Sequence, residues 1–205
     1  MATTTPNYGW PVPTSTDYVK DGATAIEALG DAIDATVFAL PSAGMTLINA
    51  TSFSAVSSQS LNNVFTSTYQ NYQIRLNITS KSTTGGISLR YRTSGTDNSS
   101  ASYNQSAIYV RTNNTSAGDG ATGATQIVSF GTSDGTNISL IAQIFNPQLS
   151  VTTAATYQYF GVESGLFFLY QGGHNFNNTT SFDGFSIYPA SGTMTGTVYV
   201  YGLKK

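Results

Sequence analysis

Tyr72-Gln73-Ile74-Arg75-Leu76-Asn77-Ile78-Thr79 alternates apolar and polar side chains without a break. A period of two puts Tyr72, Ile74, Leu76 and Ile78 on one face of a strand and the polar residues on the other. Ile87-Ser88-Leu89-Arg90-Tyr91-Arg92 repeats the pattern after a loop holding Gly85-Gly86, so the two read as a hairpin. Ile138-Ser139-Leu140-Ile141-Ala142-Gln143-Ile144 and Thr197-Val198-Tyr199-Val200-Tyr201 add further strands. Turn pairs at Asp119-Gly120, Asp134-Gly135, Gly172-Gly173 and Asp183-Gly184 separate shorter candidates. Roughly ten strands with no helix among them predict two packed antiparallel sheets. The expected fold class is mainly β, with a jelly-roll-like β-sandwich over residues 42–205.

Ahead of the strands the period changes. Val19, Ile26, Ile33 and Leu40 stand seven apart, and Leu29 fills the seam between them. Ala23, Ala25, Glu27, Ala28, Ala32 and Ala35 are helix formers, Asp21 is placed as a cap, and Pro41 follows the end. Residues 19–41 therefore read as one short helix and its stop. Gly22 and Gly30 weaken it by roughly 1 kcal/mol each. A helix of this length is marginal alone, and a stripe this narrow suits sister helices better than a broad core. Val19, Ile26, Leu29, Ile33 and Leu40 are thus the oligomerisation candidates; packing on the chain's own β domain is the alternative. Residues 1–18 hold Pro6, Pro11 and Pro13 with Tyr8, Trp10 and Tyr18, which predicts an extended arm. The aromatics either fold back on their own domain or dock into another protein as anchors.

Hydrophobic residues make up 40% of the 205, and charged ones only 9%. The polar surface is Ser, Thr, Asn and Gln, which suits contact with protein subunits or neutral sugars. It does not suit nucleic acid, whose binding rests on Lys and Arg against phosphate. No apolar run is long enough for membrane insertion by a helix. The N-terminus lacks the pattern of a secretory signal, so the Asn-x-Ser/Thr triplets at Asn49, Asn77, Asn98 and Asn178 read as products of composition. There is no cysteine, hence no disulfide.

Catalysis finds little support. His174 is the only histidine and has no Gly-x-Ser-x-Gly elbow beside it. One histidine without cysteine does not build a zinc site, and Asp97, Asp119, Asp134 and Asp183 form no calcium loop. Glu163 is the single Glu of the β part, so no carboxyl pair for glycoside hydrolysis is marked. No enzyme, no cofactor and no metal are expected. Binding fits better. Residues 93–106, 112–124 and 171–182 are rich in Ser, Thr, Asn and Gly and read as long loops, which tend to be functional. Tyr103, Asn113, His174, Asn175 and Phe176 are the ligand-binding candidates on them.

Three segments carry a likeness: Pro6-Asn7-Tyr8-Gly9-Trp10-Pro11, Asp17-Tyr18-Val19-Lys20-Asp21-Gly22-Ala23 and Ala28-Leu29-Gly30-Asp31-Ala32-Ile33-Asp34. Together they resemble the start of tailed-bacteriophage fibre and appendage proteins. Phe53-Ser54-Ala55-Val56-Ser57-Ser58 and Val64-Phe65-Thr66-Ser67-Thr68-Tyr69-Gln70-Asn71-Tyr72 are similar to β domains of the same proteins. The resemblance implies a homotrimer and a place on the virion, with Tyr8, Trp10 and Tyr18 anchoring the arm to other virion proteins of capsid or tail. The chain is short for a fibre and has no collagen-like repeat, which favours a compact appendage such as a head fibre. Host surface glycan is then the expected ligand. A capsid decoration protein with no host ligand is the alternative, and a free carbohydrate-binding module is the third reading.

Overall fold

The computed structural model describes residues 3–16, 18–39, 44–134 and 137–203. Asp17, Leu40 and Pro41 lie outside the described residues. The chain divides into two compact units, Met1–Ala43 and Gly44–Lys205.

In the first unit the arm is a hairpin rather than a simple extended segment. Strand β1 (Thr3–Thr4) pairs antiparallel with β2 (Pro11–Val12). Gly9 supplies the positive φ of +67° that the reversal needs, and Thr5 closes it by accepting from Gly9 N at 3.0 Å and donating its N–H to Trp10 O at 2.9 Å. A 3-10 turn, Val19–Asp21, then leads into α1 (Gly22–Ala39). Eighteen residues give a rod of about 27 Å. Trp10 anchors the hairpin to α1, its indole N–H donating to Thr36 Oγ1 at 2.9 Å. Leu29, Ile33 and Thr36 are half-buried on the helix, whereas Val19 is 97% and Ile26 66% exposed.

The second unit is two antiparallel sheets. Its strands are β3 (Met45–Val56), β4 (Gln59–Leu61), β5 (Asn71–Lys81), β6 (Gly85–Thr93), β7 (Thr96–Asp97), β8 (Tyr103–Arg111) and β9 (Ser116–Ala124). They continue with β10 (Ile127–Ser133), β11 (Ile138–Phe145), β12 (Thr153–Glu163), β13 (Leu166–Phe176), β14 (Gly184–Pro189) and β15 (Met194–Leu203). The larger sheet runs β3-β15-β5-β11-β12-β13-β8-β9 and the smaller β10-β6-β14-β4, with β7 beside β6.

The alternation over 72–79 is β5, with Tyr72, Ile74, Leu76 and Ile78 sealed in the core. The expected hairpin between β5 and β6 does not form. β5 pairs with β15 and β11, and β6 with β14 and β10, so the two strands belong to opposite sheets. Both carry a fully apolar face, and facing each other across the core buries both at once. Between the sheets lies an aromatic centre. Phe65 meets Tyr72 at 4.8 Å, Tyr91 meets Phe182 at 4.8 Å, and Tyr103 meets Phe176 at 4.9 Å between ring centroids. Each ring adds roughly 1.5–3 kcal/mol of burial.

One of the three expected long loops is mainly strand, and the other two are half strand. Residues 116–124 are β9, an edge strand whose Gly, Ala and Ser give no alternation to read. Residues 171–176 continue β13, and the glycines within it are there for contact. A Cβ on Gly172 would stand 2.7 Å from Ala107 Cβ and 3.0 Å from the Tyr157 ring. In the stretch 93–106, β7 and the start of β8 leave only a short connection. We expect Phe65→Ala to lower the unfolding free energy by about 3–5 kcal/mol in urea titration, because the ring is sealed at the centre of the core.

Candidate functional site

At one end of the sandwich, side chains of β8, β9, β10, β12 and β13 line a cleft of about 340 Å³. Its lining is polar: Tyr109 and Arg111 from β8, Asp119 from β9, Ser129 and Thr132 from β10, Tyr159 and Glu163 from β12, and Tyr170 from β13. The register explains the gathering. Tyr109 stands opposite Tyr170 across β8 and β13, and Asp119 opposite Ala107 across β8 and β9.

Asp119 is fixed by two donors. Tyr170 Oη and Ser129 Oγ both donate to its Oδ2, each at 2.7 Å. Arg111 pairs with Glu163 and lies over the Tyr109 ring at 4.7 Å. The rings themselves stack: Tyr159 on Tyr170 at 4.6 Å and Tyr109 on Tyr170 at 6.2 Å, nearly parallel. The hydroxyl of Tyr159 is buried and has no hydrogen-bond partner. Burial pushes the hydroxyls of Tyr159 and Tyr170 well above the ordinary tyrosine range, and Asp119 raises Tyr170 further. Both therefore stay protonated donors at neutral pH. The cleft thus offers a fixed carboxylate, a guanidinium, several hydroxyls and aromatic planes within one volume, a set suited to a neutral polar molecule with many hydroxyls. Among the described residues, no group of three or more His, Cys, Asp or Glu is close enough to hold a metal ion.

The residues expected from the sequence lie elsewhere. Tyr103 is sealed in the core; its hydroxyl donates to Asn98 O at 2.9 Å and accepts from Tyr91 N at 3.0 Å. Phe176 is equally sealed, packed edge-on against Phe182. His174 is no loop tip either: it is buried on β13, with Nε2 2.7 Å from Tyr91 Oη. All three alternate inward on strands, which is why a composition-based loop reading misplaces them. Asn113 is exposed and caps its own turn, its Oδ1 accepting from Thr115 Oγ1 at 2.6 Å. Asn175 is half-buried and accepts from Asn104 Nδ2 at 3.0 Å. These two lie at opposite ends of β8 and build no common site.

Of the anchoring candidates, Trp10 is turned onto α1, while Tyr8 stacks on Trp10 at 5.1 Å and remains exposed. Tyr18 is exposed, with Lys20 Nζ 5.3 Å from its ring. No helix among the described residues is long and apolar enough to cross a membrane. The residues of the cleft were separately visible as tyrosines, one turn-like Asp119 and the single Glu163; only strand order brings them together. No protein-family model, curated protein or solved structure matches the chain.

Burial holds the His174 pKa down to about 3 from an ordinary 6.5. The unfolded chain therefore binds a proton below pH 6.5 that the folded chain refuses. Stability contributed by the neutral imidazole is present above pH 6.5 and lost as pH falls toward 3, by about 1.4 kcal/mol per pH unit. Denaturant midpoints measured from pH 7 to 4 fall accordingly, and His174→Phe flattens that slope.

Proposed function

We propose that this chain is a bacteriophage virion structural protein. It forms a compact trimeric surface appendage, held to capsid or tail by its N-terminal arm, and its jelly-roll-like head binds host surface glycans. The observation that carries the reading is the helix. Val19, Ile26, Val37 and Phe38 are exposed on or beside α1, in a unit distinct from the sandwich. Apolar side chains bare on a short helix favour a bundle of sister helices, whose burial offsets the weak propensity of Gly22 and Gly30. The stripe by itself is compatible with several symmetries; three copies follow from the resemblance of the leader and helix.

The exposed Tyr8 and Tyr18 support the arm as an anchor, with Trp10 holding the hairpin that presents Tyr8. The chain crosses repeatedly between the sheets, as from β4 to β5 to β6 and from β13 to β14 to β15, which supports the jelly-roll-like description. For the glycan, the cleft of Tyr109, Arg111, Asp119, Ser129 and Tyr170 replaces the loop residues first expected. Three heads on one appendage would gain avidity from weak single sites.

Deleting residues 1–18 is expected to leave a folded protein that no longer joins particles when supplied during infection. Continued incorporation would remove the anchoring role. On glycan arrays the full chain binds neutral glycans, and Asp119→Asn or Tyr170→Phe weakens binding about tenfold or more, as loss of a charge-assisted hydrogen bond does. Incorporation into particles without binding to any glycan would instead assign capsid decoration.

A further inference from the structure

The outward face of the larger sheet carries an apolar patch where a free sandwich would be polar. Ile108, Val110, Ile141, Phe160, Phe167 and Leu169 are 39–62% exposed on four adjacent strands, β8, β13, β12 and β11. The register makes them one patch. Phe160 pairs with Leu169, and Leu169 with Val110, in a single cross-strand row. Phe160 also touches Phe167, with centroids 5.9 Å apart. Ile141 and Ile108 lie in the neighbouring row, joined through Gln158 and Gln171. Contiguous exposed patches of this kind mark interaction sites.

We propose that this face turns inward in the assembly and packs, ridge into valley, against the corresponding faces of the two sister copies. The inference rests on the oligomeric reading above and adds a second contact, made by the heads. Charge points to the occupant. From β15 across to β8, Arg75 is the one charged outward side chain among the described residues. It is already engaged, with Nε donating to Gln73 Oε1 at 2.9 Å and the guanidinium over the Tyr201 ring at 5.3 Å. Nucleic acid and anionic lipid both call for basic groups that this face lacks. It suits a partner surface as neutral as itself, and the chain carries one.

Relief and size agree. Short Asn77 and Ser139 form the floor of a depression of about 660 Å³, between Phe160 and Leu169 on one side and Tyr199 and Tyr201 on the other. A ridge of one copy enters the valley of its sister. Six strands spaced about 4.8 Å apart, by the length of β11, give on the order of 600 Å² in projection. Side-chain relief brings the accessible area that each copy buries, shared between its two sisters, toward the roughly 800 Å² per partner of a stable interface.

The chain has no cysteine, so single thiols report contact cleanly. Leu169→Cys and Ile141→Cys, in the full chain, are treated with a short bis-maleimide alongside Ile26→Cys on the helix and Leu149→Cys as an exposed control. The proposal expects covalent dimers through 169 and 141, persisting on dilution, and maleimide labelling of both at least tenfold slower than at 149. Protection without cross-links means the face is covered by the chain's own first unit, and overturns it. Free labelling at 169 and 141 overturns it as well. If cross-links form at 26 alone, this proposal fails and the helix bundle stands; if at none of these positions, both fail.

Discussion

Everything in the sandwich depends on one constraint: two sheets of unequal width share a single apolar interior. The smaller sheet covers the larger through Ile87, Leu89 and Tyr91 of β6 and Phe185 and Ile187 of β14. Where the cover is complete, the side chains are aromatic and close-packed, and even a histidine is held neutral among them. Toward the margin the lining turns polar. Arg111, Asp119 and Glu163 reach solvent there while tyrosines continue the stack behind them. The cleft is thus a consequence of the mismatch between an eight-stranded and a five-stranded sheet.

The chain carries few charges, 9% of its residues. Many of its polar groups are satisfied locally, by hydroxyl-to-hydroxyl and amide-to-amide pairs across strands. Ser60 with Ser186 at 2.8 Å and Ser52 with Thr197 at 3.0 Å are examples. Short side chains lose little rotamer entropy when ordered, so a Ser- and Thr-rich surface is inexpensive to cover with another subunit. The same economy leaves the outward face of the larger sheet nearly uncharged. The proposed contacts between sister heads and between sister helices draw on one property of the composition.

Much of the fold was legible in the sequence. The alternation in β5, β6, β11 and β15 identified strands whose inward residues are the ones buried. The helix was legible from its spacing. What was not legible was pairing. β5 and β6 look like hairpin partners because they are adjacent, yet their equal apolarity makes them opposite walls of the core. Strands made of Gly, Ala and Ser, such as β9, carry no pattern, since an edge position demands none. For the site, residue type misled. His174, Tyr103 and Phe176 sit among turn-forming neighbours, but Gly172 is there to admit the Tyr157 ring, not to turn the chain. The true cleft joins residues from five strands and leaves no local signature.

The central claim is that the bare aliphatics of the helix are hidden by sister chains. Sedimentation velocity on the intact protein at micromolar concentration tests it most directly. The account predicts a single species with the mass of three chains of 21.6 kDa. A lone 21.6 kDa species that persists as concentration rises would contradict it.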